Sequence, residues 1–318
     1  MEVNVSLIYD LLVIGGGPAG LSAAIYGGWT NLSVLVLEKL SVGGAIVVSK
    51  KVKNYPGFPE GISGAELGGL MEEQAKQFGA KIKWGTVSSF EDKGDIKVVK
   101  SGKDEYRART VLICTGTSHR SLGVPGEDKF KGRGISYCAI CDAPFFKDKE
   151  VMVVGGGNSA LQEAVTLSRF ASKVYIAHHS DQLKGEKDVQ EEAKNNDRVE
   201  ILLNTVVKEI IGEDLVEKVA LIDNKTGEEW FLEVSGVFPY IGVQPNTYFL
   251  ENTSVELDEE GFVITNENME TSVPGIYAAG DVRQKEVPQV VVAAAEGAIA
   301  ATMAKNYLKR IGGKEKNG

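Results

Sequence analysis

The chain has 318 residues, 43% of them hydrophobic and 25% charged, a composition that excludes a disordered or fibrous chain. At about 150 residues per domain, this length predicts about two domains. The net charge of −9 disfavours nucleic acid as a partner, and the 37 glycines, which fall in short clusters, favour phosphate-binding turns.

The first predicted elements are a strand over 9–14 and a helix over 18–28, joined by a run of glycines. This run fits the pattern G-x-G-x-x-G. In such a turn, Gly15 allows a tight bend, Gly17 lets the backbone approach a pyrophosphate, and Gly20 lets the helix pack closely on the strand. The pyrophosphate then lies on the N–H groups at the start of the helix.

The next predicted strand, 32–37, ends at Glu38. A carboxylate about 20 residues after the glycines accepts hydrogen bonds from a ribose diol. An ordinary glycine-rich turn is the alternative interpretation. The strand, the helix and Glu38 in register favour a dinucleotide site.

The remaining predicted elements, in chain order, are a helix over 62–78 with Ser63 as its N-cap, strands over 110–115, 150–154 and 173–177, a βα start over 275–281 and a helix over 287–304. The last stretch contains Glu296 and is rich in alanine, which indicates a packed helix, because a membrane span needs about 20 nearly uninterrupted apolar residues. No basic segment precedes the first apolar run, so we expect no signal peptide, no membrane association and a cytoplasmic location.

A second glycine motif, G-x-G-x-x-A, follows the strand over 150–154. The residues of this motif that would face a nucleotide are Gly155, Gly157, Asn158 and Ser159. The next strand ends in His178-His179-Ser180, which offers no carboxylate for a free 2′-hydroxyl and no arginine for a 2′-phosphate. Nicotinamide binding, and a domain that has kept its fold but binds the nucleotide poorly, both stay open.

Two strand–glycine–helix units predict an α/β protein with two Rossmann-like dinucleotide-binding domains of the three-layer ββα type. The chain crosses between them near 116–123 and near 240–246. If the C-terminal segment returns to the first domain, that dinucleotide-binding domain is discontinuous, 1–117 and 246–318, and a nicotinamide-type domain, 118–245, that carries two cysteines is inserted into it.

Those cysteines, Cys138 and Cys141, have the C-x-x-C spacing of a redox pair, in which one thiol is a low-pKa nucleophile. A zinc site is the alternative, but zinc usually takes four ligands and the chain offers no second pair at ligand spacing, so no metal is predicted. Asp142 is either a proton donor or a helix cap. Cys114 lies in an apolar strand and is interpreted as a core thiol.

Taken together, these residues resemble the low-molecular-weight thioredoxin reductases, FAD-dependent enzymes of the pyridine nucleotide–disulfide reductase group. The resemblance covers nearly the whole chain. It is carried by Gly15–Gly20, Gly43-Gly44, Asn54-Tyr-Pro-Gly57, Thr115-Gly116, Gly123-Val-Pro-Gly126, Lys131-Gly132, Cys138-Ala-Ile-Cys-Asp142, Gly155–Ala160, Ile241-Gly242, Pro245-Asn246 and Ala278-Ala-Gly-Asp-Val282.

The resemblance implies FAD in the first domain. The residues it places there are Gly15, Gly17, Pro18, Ala19, Glu38, Lys39, Gly43, Gly44, Ala45, Asn54, Thr115, Gly116, Asp281, Gln289 and Val290. It also implies that Cys141 faces the flavin, that Cys138 attacks the protein substrate and that Asp142 acts as the acid/base. Thioredoxin or a similar dithiol protein is the implied partner, a homodimer the implied assembly, and a swinging second domain the implied motion.

The chain departs from the family at the nicotinamide site. The family's basic H-R-R-x-x-x-R set is here His178-His179-Ser180 with Lys184, which leaves the choice between NADPH and NADH open and admits reduced ferredoxin as the donor. A ferredoxin–nicotinamide reductase is an alternative function, disfavoured because that family lacks the cysteine pair. A redox-sensing flavoprotein is the non-enzymatic alternative.

Overall fold

The computed structural model describes residues 7–49, 51–285 and 287–314, with the backbone alone at 140, 141, 313 and 314. It divides into two compact units. The first unit joins Met1–Ser118 to Gln244–Gly318, and the second is His119–Val243.

Alternating strands and helices make up both units. The strands are β1 Ile8–Ile14, β2 Val34–Glu38, β3 Lys81–Trp84, β4 Val87–Lys93, β5 Ile96–Ser101, β6 Asp104–Ile113, β7 Thr117–His119, β8 Glu150–Val154, β9 Lys173–Ala177, β10 Val199–Leu202, β11 Thr205–Ile211, β12 Lys218–Asp223, β13 Glu229–Glu233, β14 Gly236–Pro239, β15 Val243–Pro245 and β16 Ile276–Ala278. The α-helices are α1 Pro18–Trp29, α2 Gly64–Gln77, α3 Glu127–Phe130, α4 Ala139–Asp142, α5 Asn158–Ser168, α6 Lys187–Lys194 and α7 Val290–Lys314.

The first unit is built on a sheet of order β3-β2-β1-β6-β5-β4, with β16 paired to β6. β3, β2, β1, β6 and β16 are parallel, whereas β4 and β5 form an antiparallel meander with the first half of β6. Alternate residues of the parallel strands enter two cores. Leu11 and Val13 pack with the alanines of α1 and α7, and Leu12 and Ile14 pack beneath the meander.

The second unit repeats this plan. Its parallel sheet has the order β10-β9-β8-β14, and β11, β12 and β13 form an antiparallel meander. Val151 and Val153 of β8 pack against α5, while Met152 and Val154 pack on the meander side. Each unit thus has helices, a parallel sheet and an antiparallel meander as its three layers, which confirms the predicted fold class.

The structure corrects several predicted element bounds. The helix predicted over 62–78 is α2, and the Ser63 hydroxyl accepts the N–H of Glu66 at 3.1 Å, as expected of an N-cap. The strand predicted over 110–115 begins earlier, at Asp104, because its first half belongs to the meander.

The third predicted βα start, 275–281, contains the strand β16, and the helix that follows it, α7, begins at Val290. The chain turns at Gly280, whose φ is +79°, and Pro288 disfavours helical backbone at the residue before it. The alanine-rich stretch predicted as a helix over 287–304 lies mostly in α7, which confirms the prediction of a packed helix. No helix among the described residues is long and apolar enough to cross a membrane.

Candidate active site

A cavity of about 480 Å³ lies in the first unit, at the carboxyl ends of β1, β2, β6 and β16. In parallel sheets this edge is where ligands bind. The predicted FAD residues that line it are Gly15, Gly17, Pro18, Ala19, Glu38, Lys39, Gly44, Ala45, Thr115, Gly116, Asp281, Gln289 and Val290.

Two predicted FAD residues do not line the cavity but contact residues around it. The N–H of Gly43 donates to the carbonyl of Gly16 at 2.8 Å. The side-chain amide of Asn54 donates to the amide oxygen of Gln289 at 3.0 Å. Gly43 is thus bonded to the glycine turn, and Asn54 to a residue that lines the cavity.

The glycine turn leaves no room for side chains where it meets the strand ends. Gly15 has φ +105°, and a Cβ there would lie 2.3 Å from the carbonyl oxygen of Cys114. A Cβ on Gly20 would lie 1.9 Å from the carbonyl oxygen of Gly15. Gly17 is the N-cap of α1, with no side-chain hydrogen bond to the helix start. The N-terminus of α1 is therefore open toward the cavity for a phosphate group.

We expect Gly20→Ala to destabilise the first unit by about 1–3 kcal/mol, because the new methyl group must displace backbone, and to lower FAD content. Gly69→Ala is the matched control. It lies inside α2 with no atom within 4 Å of its Cβ, so we expect a gain of about 0.5–1 kcal/mol from helix propensity. Thermal unfolding and released flavin measure both variants. Equal stability and flavin content in the two would contradict the close packing of the turn.

Glu38 ends β2 and is buried at the cavity wall. Its Oε2 accepts the N–H of Gly16 at 2.6 Å, and its Oε1 accepts the N–H groups of Leu40 at 2.8 Å and Ser41 at 3.3 Å. These backbone donors fix the carboxylate in one orientation. A carboxylate has about four acceptor positions, so one is left for a ribose hydroxyl.

Asp281 follows β16 and lines the same cavity. Its Oδ1 is buried and has no hydrogen-bond partner among the described residues. Burial raises the pKa of this carboxyl, the nearby Lys285 lowers it, and Glu296 raises it. The Asp281 side chain as a whole is 39% exposed, so its other oxygen can accept a hydroxyl that a ligand brings into the cavity. The open helix end, Glu38 and Asp281 together fit FAD.

Sequence reasoning did not single out the aromatic part of the cavity wall, Tyr248 and Phe249. These residues reach the cavity because the chain returns to the first unit. There, the side-chain amide of Asn246 donates to the Thr115 carbonyl at 2.9 Å, and the Thr115 hydroxyl donates to the Asn246 carbonyl at 2.8 Å. The one signal in the sequence was the Pro245-Asn246 dipeptide of the family resemblance.

Cys138 lies in the second unit, immediately before the short helix α4, and is half-buried and disulfide-bonded. Its N–H donates to the Ser136 hydroxyl at 3.1 Å, and the next N–H, that of Ala139, donates to the Tyr240 hydroxyl at 2.9 Å. The side chain of Cys141 lies outside the described part of the structure.

Asp142 ends α4 and is partly exposed. Its side chain makes no capping hydrogen bond to the turn that follows, so the structure gives no support to the helix-cap interpretation. Cys114 is free and buried, as expected of a core thiol, and it also lines the cavity of the first unit. Among the described residues, no three His, Cys, Asp or Glu side chains form a group able to hold a metal ion.

The second glycine turn lies at the carboxyl end of β8. Gly155 has φ +145°, and Gly157 is the N-cap of α5 without a side-chain bond. The side chain of Asn158, the first residue of α5, exchanges hydrogen bonds with Glu186 at 2.7 and 3.1 Å. Ser159 follows it in the first turn of α5.

The carboxyl end of the neighbouring strand β9 carries the two histidines. His178 is 2% exposed, and its Nε2 lies 2.7 Å from the Ser180 hydroxyl and 3.0 Å from the Gln182 carbonyl. Burial lowers the pKa of His178. His179 and Lys184 are exposed. The backbone N–H of Lys184 donates to the carbonyl of Gly156 at 2.8 Å, and this bond places the segment beside the glycine turn.

The pyridine nucleotide-disulphide oxidoreductase family matches residues 9–297. The thioredoxin reductase of Bacillus subtilis (strain 168) is 47% identical over 305 residues, which cover 96% of either chain. A crystal structure of Lactococcus lactis thioredoxin reductase is 38% identical with a TM-score of 0.86, over 95% of this chain and 99% of that one. A ferredoxin-flavin thioredoxin reductase from Clostridium acetobutylicum is 34% identical with a TM-score of 0.52, over 95% and 98% of the chains. The chain therefore belongs to the pyridine nucleotide-disulphide oxidoreductases, in their low-molecular-weight thioredoxin reductase branch.

Proposed function

We propose that this protein reduces the disulfide of thioredoxin or a similar small dithiol protein through a Cys138–Cys141 redox pair. The observation that carries the proposal is a disulfide-bonded Cys138 at the start of a helix, in a chain whose other unit holds a cavity suited to FAD. When bound, FAD takes two electrons from the donor and delivers them to the disulfide.

Once the pair is reduced, the thiolate of Cys138 attacks one sulfur of the substrate disulfide and the other sulfur leaves as a thiolate. Cys141 then attacks the sulfur of Cys138 in the mixed disulfide, which restores the Cys138–Cys141 bond and releases the dithiol product. N–H groups at a helix start stabilise a thiolate. When the Cys141 thiol attacks, the carboxylate of Asp142, next to the pair and not engaged in capping, takes up the thiol proton and passes it to the leaving thiolate.

Three further parts of the proposal are a cytoplasmic location, a homodimer and the identity of the donor. A reducing compartment is where a thioredoxin reductase has its substrate. Reduced ferredoxin is a third candidate donor beside NADPH and NADH, favoured by the absence of arginine at positions 179 and 180.

The proposal is tested by mixing the purified protein with oxidised thioredoxin and offering NADPH, NADH or reduced ferredoxin in separate anaerobic reactions. We expect flavin bleaching and thioredoxin thiols with at least one donor. Flavin bleaching without the formation of thioredoxin thiols would show that thioredoxin is not the substrate. If the protein reduces an artificial acceptor dye (diaphorase activity) but forms no thioredoxin thiols, the result favours a reductase that does not use the cysteine pair.

We expect Asp142→Asn to slow thioredoxin reduction by about a hundredfold or more, because general acid catalysis is lost, while FAD content stays the same. Asp148→Asn is the matched control in the same unit. Asp148 has φ +59°, a left-handed conformation that asparagine adopts readily. Equal turnover in the two variants would remove Asp142 from the mechanism.

A further inference from the structure

A buried ionic cluster lies beside the cavity of the first unit, where α7 meets the loop after β16. Glu296 of α7 is the centre of this cluster, at 8% side-chain exposure. Its Oε1 pairs with Arg283 at 2.7 Å, and its Oε2 pairs with Lys285 at 2.5 Å. The same Oε2 accepts the N–H of Gly280 at 2.7 Å. One carboxylate thus fixes three points of the loop.

Asp281 lies inside the segment that this cluster holds. The Nζ of Lys285 is 3.9 Å from its Oδ1, too far for a hydrogen bond and close enough for the buried ammonium to attract this partly exposed carboxylate. Glu296 is a second carboxylate near the same lysine. Without Lys285, the two carboxylates would repel each other, with Arg283 still paired to Glu296, and like charges favour the protonated form of one of them.

We propose that Lys285, held in place by Glu296, is a positioning residue for FAD: it keeps Asp281 ionised and its Oδ1 turned inward, so that the other carboxylate oxygen, Oδ2, accepts a hydroxyl of the flavin's ribityl chain. The inference rests on the placement of FAD in the cavity of the first unit, and it is independent of the thioredoxin step. Lys285 touches the flavin only through Asp281, so its effect must disappear when Asp281 can no longer carry a charge.

The test is a double-mutant cycle on FAD affinity. FAD is titrated into the flavin-free full-length chain, and quenching of flavin fluorescence gives Kd for the wild type, Lys285→Met, Asp281→Asn and the double variant. Loss of a charge-assisted contact raises Kd about tenfold to a hundredfold, and this is the expected effect of Lys285→Met alone. In the Asp281→Asn background the same change is expected to alter Kd by less than about threefold.

Lys97→Met is the matched control, because Lys97 is a buried cation of the same unit that is paired with Asp92 at 3.0 Å and does not line the cavity. We expect it to leave Kd unchanged and Lys285→Arg to restore most of the affinity. If Lys285→Met does not fold, Lys285→Gln replaces it in the cycle. The proposal is overturned if the effects of Lys285→Met and Asp281→Asn on Kd multiply in the double variant. It is also overturned if Lys97→Met raises Kd as much as Lys285→Met does. Intact FAD binding without thioredoxin reduction would overturn the proposed function and leave this inference standing.

Discussion

Replacing Cys138 by serine is expected to abolish thioredoxin reduction, with a loss of about three orders of magnitude or more, as is typical when a covalent nucleophile is removed. The thiolate is the attacking species, and a serine hydroxyl neither ionises at working pH nor forms a disulfide. FAD content should match the wild type, because Cys138 lies in the second unit, whereas the flavin cavity is in the first.

The reciprocal change, Cys141→Ser, separates the roles of the two thiols. Cys138 should still attack the substrate, and the mixed disulfide should persist because the resolving thiol is absent. Non-reducing electrophoresis with thioredoxin measures the conjugate. A conjugate formed by Cys138→Ser instead would reverse the assignment, and substantial turnover in Cys138→Ser would reject the proposed function.

The three-layer plan of both units could be predicted because its signals are local. A strand, a glycine turn and a helix follow one another within about 20 residues, and β1–α1 and β8–α5 both obey that order. The meander strands are harder to predict from the sequence, because they are half exposed and polar residues alternate with apolar ones along them. That is why the extension of β6 back to Asp104 was missed.

Some contacts around the cavity could be predicted from the sequence and others could not. Gly15 and Glu38 belong to one continuous motif, so their meeting at the strand ends follows from the fold. Tyr248 and Phe249 reach the same wall only because the chain comes back from the second unit. Lys285 and Glu296 were not linked to Asp281 either, because the link depends on how α7 packs against α1. There, a Cβ on Gly297 would lie 2.0 Å from the carbonyl oxygen of Ala19.

The electron donor is expected to be chosen by charge at the end of β9. A 2′-phosphate is best held by planar, bidentate arginines. Burial lowers the pKa of His178, which makes it a neutral group at pH 7, and the Ser180 hydroxyl donates to the Gln182 carbonyl at 3.0 Å. Lys184 and His179 are the exposed basic groups of this segment, and neither has the planar, permanently charged fork with which an arginine binds a phosphate.

Two missing charge-assisted contacts, each of about 1.5–3 kcal/mol, raise the dissociation constant of NADPH by about two to four orders of magnitude. NADH gains nothing in return, because no carboxylate stands at position 178 to bind its ribose hydroxyls. We therefore expect weak discrimination between the two nucleotides or poor use of both. Stopped-flow reduction of the flavin by each donor measures this directly.

Putting the arginines in is the sharper experiment. We expect His179→Arg with Ser180→Arg to raise kcat/KM for NADPH by about two orders of magnitude or more and to change that for NADH little. The matched control, Ser172→Arg with Asn195→Arg, adds the same charge at exposed positions toward the other end of β9. If the control improves NADPH use equally, general attraction rather than 2′-phosphate recognition is responsible. A micromolar KM for NADPH in the unmodified protein, with strong preference over NADH, would show that Lys184 and its neighbours already suffice.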